Sequence, residues 1–540
     1  MSEPVEPAGG FPDAGTDPSG DLQSLMDEYA GKVAARVAEE AAADPDGKPV
    51  NGKVGSGFIR ACFDANELGD GLLFKAVNKG DLTFNKAMDA WLVWTGHHWA
   101  VDQMGAARAG VEKVVEKFGE ELAAMNKKIR EVEADGAGEQ LAFFRARAKG
   151  LRARISQLRS RRRANNCLDF AHNCEDPMAI RGDEIDRKPL LLACANGVIN
   201  LATGELESGR QEQYLLKASP VSWQGIDAPC PLWEEKLLEI LSGDQRLMAF
   251  LQRVLGYALI GEVRESIIVV LTGIGRNGKS LIVEVLSEIM GPLAGAVRSE
   301  MLLDQMRVTS STGPTPDIMA LRGLRMAFAS ETDDGCRVSP SRVKWLTGKD
   351  KLTGRNPHDK YEVQFPPTHT LFLLTNHKPH APADDFAFWE RVILIPFLLS
   401  FVSRRPRNES ERVADPLLAA KLIPEYPGIM AWMVRGSLQY LQRGLDPPPV
   451  VKEAIQEYQR DEDILADFVD ECCVVGEGFQ VGATALYDIF ERWWKKNVSK
   501  NAPKQKRFGS LMGRRFQRKK DGVYKYTGIG LLDNVEELFG

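Results

Sequence analysis

Gly273, Gly278, Lys279 and Ser280 stand in GxxxxGKS spacing within SIIVVLTGIGRNGKSLIVEVLSEIM. Glycines in such a loop let backbone N–H groups turn toward phosphate oxygens with no Cβ in the way. A helix that starts at the loop adds partial positive charge at its first turn. Lys279 would then reach the outer phosphates of a triphosphate, and Ser280 would offer its hydroxyl to Mg²⁺. The expected cofactors are therefore ATP and Mg²⁺. The expected nucleotide contacts are Gly273, Ile274, Gly275, Arg276, Asn277, Gly278, Lys279, Ser280 and Leu281.

Three further residues could serve the same chemistry. Glu331 follows the short apolar run Met326–Ala329 and could polarise an attacking water. With Ser280 it is the expected metal ligand. In the usual arrangement an Asp precedes this Glu; here the position is Ser330, and Asp333 is the weaker substitute. Asn376 closes HTLFLLTNHKP, where an amide could lie between the acid and the γ-phosphate; its plain alternative is a turn-former. Arg391 stands just before the apolar run VILIPF. An arginine there could reach the nucleotide of a neighbouring copy, a contribution on the order of 10³–10⁵ in rate where such fingers act. An ordinary ion pair is the alternative. The expected catalytic set is Lys279, Glu331, Asn376 and Arg391.

These residues need strands and helices to hold them. Ile267–Leu271 is a β-branched apolar run that predicts a buried strand, and Leu281, Val283, Leu286 and Ile289 give the next segment a helical apolar face. Strands alternate with helices to about residue 400, and 232–262 and 417–460 read as helical. LLLACANGVINLATGELE (190–207) reads as strand, turn, strand, with turns at Asn196-Gly197 and Thr203-Gly204. Residues 105–163 favour long helices split at DGAG (135–138), and nine basic residues fall between Arg145 and Arg163. That basic run is either a solvated or subunit-facing helix face or a phosphate-binding collar. The first 20 residues are rich in Pro, Gly, Asp and Ser and read as disordered, and 22–43 as a helix.

Composition narrows the class. The formal net charge of −6 does not suggest a nucleic-acid binder, yet 145–163 and 492–520 are locally basic. None of the eight cysteines forms a CxxC pair, so a reducing, cytoplasmic setting is expected. Cys167, His172 and Cys174 lie close together but lack a fourth ligand at a usual spacing, and ordinary thiols are the favoured reading. No apolar run is long enough to span a bilayer, so no membrane partner is expected.

Five elements occur in order: GxxxxGKS, ASET, VKWLTGKDKLTGR (343–355), LLTNHKP and WERVILIPF. In that order and spacing the sequence resembles the superfamily 3 AAA+ helicases. It is most similar to the helicase part of phage and plasmid primase-helicases and their poxvirus relatives. The resemblance covers roughly 190–535 and, more weakly, 55–190. It implies an α/β fold: an AAA+ P-loop ATPase core with a mostly helical N-terminal domain and a C-terminal winged-helix-like domain. It also implies a homohexameric ring that hydrolyses ATP at subunit interfaces and moves 3′ to 5′ on single-stranded and forked DNA during replication of a phage, virus or mobile element. In that family the KxLTGxD element opens a hairpin into the ring channel. Carried over, it points to Lys344, Lys349, Lys351, Arg355, His358 and Lys360 as DNA contacts, although Lys349 replaces a usual glycine.

The expected divisions are a disordered tail (1–21), a helical or mixed collar domain (22–230), the ATPase domain (231–400), its helical extension (401–460) and the winged-helix-like domain (461–540). In the last, Phe508, Leu511, Met512 and Phe516 share one face of a basic helix (503–516) followed by a strand pair (516–527). Lys506, Arg507, Arg514 and Arg515 on its other sides are expected to meet DNA phosphates. No primase site is evident, since DPD (45–47) and DED (461–463) fall in linker and helix contexts, so a separate primase or polymerase is the expected partner. Two other classes stay open: an origin-binding or loader ATPase that does not unwind processively, and a structural or defence ATPase.

Overall fold

The computed structural model describes residues 54–135, 138–304, 313–330, 336–357, 362–498 and 502–535. The expected tail and the helix over 22–43 lie outside them. The chain divides into two compact units: residues up to Arg187 together with Arg210–Leu216, and Lys188–Gly209 together with Lys217 onward. Among the described residues no helix is long and apolar enough to cross a membrane.

The first unit is mostly helical, with long helices Val111–Asp135 and Gly138–Leu158 and a small four-stranded sheet. Phe74, Val114, Phe118 and Leu151 are fully buried in its core. The basic run is tied down here. Arg154 and Arg163 both reach the buried Asp70, at 2.7 and 2.8 Å, Arg147 pairs with Asp64 at 3.0 Å, and Arg159 pairs with Glu112. Arg154 and Arg163 are thereby held within the unit, whereas Arg145, Lys149, Arg152, Arg159, Arg161 and Arg162 remain exposed. Among the described residues no group of His, Cys, Asp and Glu could hold a metal. The Cys167 thiol is buried and donates to the Asp70 carbonyl, and His172 stacks on Phe84.

In the second unit, 190–207 forms a three-stranded meander, and the turn falls on Ala195-Asn196 because Gly197 already pairs with Cys194. Its central feature is a five-stranded sheet whose strands we number β1 (Ile268–Thr272), β2 (Ala294–Val297), β3 (Met326–Ser330), β4 (Thr370–Thr375) and β5 (Val392–Pro396). The order is β5-β1-β4-β3-β2, and every pairing is parallel. β1 and β4 are buried at every position, as strands covered on both faces must be. Helix α1 (Lys279–Met290) leaves the β1 loop and buries Ile282, Val285, Leu286 and Ile289 in the core.

Behind the sheet, helices Gln245–Ala258 and Tyr426–Arg443 cross with their backbones nearly in contact. A Cβ on Gly256 would lie 2.1 Å from the Gly436 carbonyl carbon, and one on Gly436 would lie 2.0 Å from the Gln252 oxygen. Only glycine fits both positions. Gly256→Ala is therefore expected to lower the stability of this unit by at least about 2–3 kcal/mol, the upper range for overpacking, read as a lower urea midpoint. An unchanged midpoint would show that the helices can part without loss.

The C-terminal region corrects one expectation. Beyond helices α2 (Ala483–Asn497) and α3 (Gln505–Arg515), the sheet has three strands: β6 (Cys473–Gly482), β7 (Gln517–Asp521) and β8 (Val523–Leu531). β8 lies in the middle, antiparallel to both neighbours. The sequence suggests only the β7–β8 pair. β6 escapes notice because half of it is exposed and its three glycines and one glutamate interrupt any apolar alternation. Phe508 and Met512 are buried, with Leu511 and Phe516 packed against the same core.

Candidate nucleotide site

The loop from β1 to α1 takes backbone shapes that its residue types permit. Gly273 and Gly278 have φ of 156° and 87°, and Arg276 has φ of 64°. A Cβ on Gly273 would meet the Phe397 carbonyl oxygen at 2.2 Å, so the loop lies against the start of the segment after β5. Phe401 N–H donates to the Arg276 carbonyl at 2.6 Å and pins the loop from the same side. Ile274, Gly275, Arg276 and Ser280 are exposed, while Asn277 and Lys279 are buried. The Asn277 amide nitrogen has no partner among the described residues.

Strand order explains what meets Lys279. β4 lies directly beside β1, with Thr375 opposite Thr272, so Asn376 emerges next to Gly273. The Lys279 ammonium donates to the Gly273 carbonyl at 2.6 Å and to Asn376 Oδ1 at 3.1 Å. Burial pulls the Lys279 pKa down to about 8. A desolvated ammonium held by neutral oxygens is poised to pair with an anion. Two residues separated by 97 positions in sequence thus converge. β3 ends on the same edge, with Ser330 opposite Leu374. Glu331 lies outside the described residues, as do His358 and Lys360.

Beside the loop is a cavity of about 350 Å³, lined by Arg276, Asn277, Gly278, Ser280 and Leu281 of the motif and by apolar groups of Ile240, Phe401, Pro416 and Leu418. Sequence reading misses these apolar walls, which come from segments on both sides of the sheet in sequence. The only local signal is the apolar-and-proline pattern that follows β5.

Arg391 is placed elsewhere. Val392 pairs with Ile268 and Pro396 with Thr272, so Arg391 stands at the amino edge of the sheet. Its own Gly-rich loop is at the carboxyl edge. Five strand residues separate the two, about 16 Å at the usual rise. The Arg391 guanidinium donates to the Ala387 carbonyl, and its buried Nε has no partner among the described residues.

The expected DNA contacts are dispersed. Leu352–Gly354 and Val363–Phe365 form an antiparallel hairpin anchored by buried Leu352 and Phe365. Lys349 and Lys351 are exposed at its base, and the Arg355 N–H donates to Thr315 Oγ1 at 3.1 Å. Lys344 sits in the preceding helix and pairs with Asp385 at 2.7 Å. In the C-terminal region Arg514 pairs with Asp384, and Arg515 pairs with Asp463 at 2.5 Å.

Residues 71–242 match the family described as D5 N terminal like. The chain is 26% identical over 353 residues to "Putative helicase L207/L206" of Acanthamoeba polyphaga mimivirus, covering 63% of this chain and 36% of that protein. It is 21% identical over 333 residues to "Putative primase C962R" of African swine fever virus (isolate Tick/Malawi/Lil 20-1/1983), covering 58% of this chain and 34% of that one. It thus spans about a third of the length of these curated relatives. The apo structure of the NrS-1 C-terminal region (305–718) is 12% identical with a TM-score of 0.34, covering 64% of this chain and all of that one. The D5-like segment and the helicase- and primase-named relatives from large DNA viruses make the chain similar to D5-type superfamily 3 helicases.

Proposed function

We propose that the chain is an ATP-driven DNA helicase of a viral or mobile-element replication system. In this reading the parallel sheet is an AAA+ core, and ATP with Mg²⁺ binds at the β1–α1 loop, with its base in the cavity lined by Phe401 and Pro416. Lys279 and Asn376 hold the phosphates, Ser280 and Glu331 hold the metal, and Glu331 orients water. Arg391 acts on the nucleotide of the next copy in a closed ring, most simply a hexamer. DNA is gripped by the 352–365 hairpin and by a winged-helix-like domain from about residue 461. A separate primase or polymerase completes the machine.

The observation that carries this reading is the convergence of Lys279 with Asn376 at the carboxyl edge of a five-stranded parallel sheet, with Arg391 at the opposite edge. Ligands of open parallel sheets bind at that carboxyl edge. A strand-displacement assay tests the whole assignment. The chain should separate a forked duplex when ATP and Mg²⁺ are present and fail without either. Hydrolysis stimulated by DNA with no strand separation would instead favour a loader.

A further inference from the structure

The four C-terminal cations expected to meet DNA do not share one surface. Arg507, Arg514 and Arg515 line a cavity against the sheet unit whose walls include Asp384, Glu462 and Asp463. Two of the three are already paired there. A phosphate backbone entering that space would meet three carboxylates. Lys506 lies on the other side, in a groove of about 840 Å³ between α3 and the β7–β8 hairpin.

The groove has a different chemistry. Register puts Arg518 opposite Tyr526 and Lys520 opposite Tyr524, so these four side chains share one face of the hairpin. Tyr526 is buried, and its hydroxyl donates to the Gly509 carbonyl at 3.1 Å, which closes the floor against α3. Tyr524 is 47% exposed. The Arg518 guanidinium sits 3.8 Å from its ring centre and the Lys520 ammonium 5.8 Å. Among the described residues no acidic side chain lines this groove. The first residues of both α2 and α3 reach it, and neither helix start is capped by a side chain, which adds partial positive charge to that of Lys506, Arg518 and Lys520.

We propose that this groove binds the phosphodiester backbone of a DNA strand. Lys506, Arg518 and Lys520 meet the phosphates, and Tyr524 packs against a sugar or base beside them. The proposal rests on the reading of the chain as a DNA motor, and it moves the C-terminal contact from Arg514 and Arg515 to the hairpin side. The signal in sequence is RKKDGVYKY, where cations and tyrosines alternate across a tight turn at Gly522.

Fluorescence anisotropy of the full chain with a labelled 25-mer, as a single strand and as a duplex, tests it. The variant K506A/R518A/K520A should weaken binding of at least one form by about tenfold or more near 0.15 M salt. It should also flatten the salt dependence by about two to three phosphate contacts. Lys506→Glu and Lys520→Glu, tested singly, change exposed side chains only and should each weaken binding should the triple variant misfold. Tight wild-type binding that every groove variant retains overturns the groove while leaving the motor reading intact. Failure of the unaltered chain to bind either DNA overturns the motor reading and the groove with it.

Discussion

Lys279→Ala should abolish measurable ATP turnover, a fall of at least 10²–10³-fold, the loss that follows removal of a single preorganised donor facing developing phosphate charge. The ammonium is buried and already oriented by the Gly273 carbonyl and Asn376. Truncation leaves those acceptors facing each other with no cation between them, so neither ground-state nor transition-state phosphate can be neutralised. The fold should stand, because the methylene stem covers little of the core and α1 is anchored by Ile282, Val285 and Leu286. The same group predicts a pH dependence. Its pKa in the free protein is lowered to about 8 by burial. A bound triphosphate favours the charged form, so above pH 8 binding must take up a proton. Nucleotide affinity should then fall as pH rises past about 8, by up to tenfold per unit. The effect on folding runs the opposite way. The unfolded lysine stays protonated to higher pH, so this group's contribution to stability rises with pH between about 8 and its ordinary value of 10.5. Calorimetric titration of a non-hydrolysable nucleotide at pH 7, 8 and 9 would check the slope. Full turnover in Lys279→Ala, or an unaltered slope in that variant, would remove the lysine from the phosphate site.

Arg391→Ala should fold and bind nucleotide normally but hydrolyse it on the order of 10³-fold more slowly, the lower bound for a transition-state arginine. Strand direction makes the argument. In a parallel sheet the residue before β5 and the residue after β1 lie at opposite edges. Arg391 cannot cross about 16 Å of its own sheet, so any action on a phosphoryl group requires a second copy. Mixing Arg391→Ala with Lys279→Ala chains should therefore restore turnover, because some junctions then join an intact loop to an intact arginine. Ordinary turnover by the single variant would reduce Arg391 to a cap on the Phe386–Trp389 helix.

The loop was legible because its flanks are local. An apolar β-branched run and a helical apolar face suffice to place β1 and α1 within a residue or two. The contact between Lys279 and Asn376 was not legible in the same sense. It depends on β4 inserting between β1 and β3, a fact about strand order that no spacing encodes. The basic run at 145–163 shows the same limit from the other side. Three of its nine cations, Arg147, Arg154 and Arg163, are held by Asp64 and Asp70, more than 80 residues away, so part of a segment that looks like a polyanion surface is an ionic scaffold within the unit. In the C-terminal region the apolar face suffices to locate the helix, but the sequence assigns the cations on its other sides to DNA phosphates alike. They line two separate cavities, one walled by Asp384, Glu462 and Asp463 and one by the β7–β8 hairpin.

The glycine-on-glycine crossing behind the sheet has a mechanical consequence. Where two helices meet main chain to main chain, no side-chain torsion lies between them to absorb displacement. A push on Tyr426–Arg443 must therefore arrive at Gln245–Ala258 almost undamped, and the pair behaves as a stiff strut rather than as two independently adjustable rods.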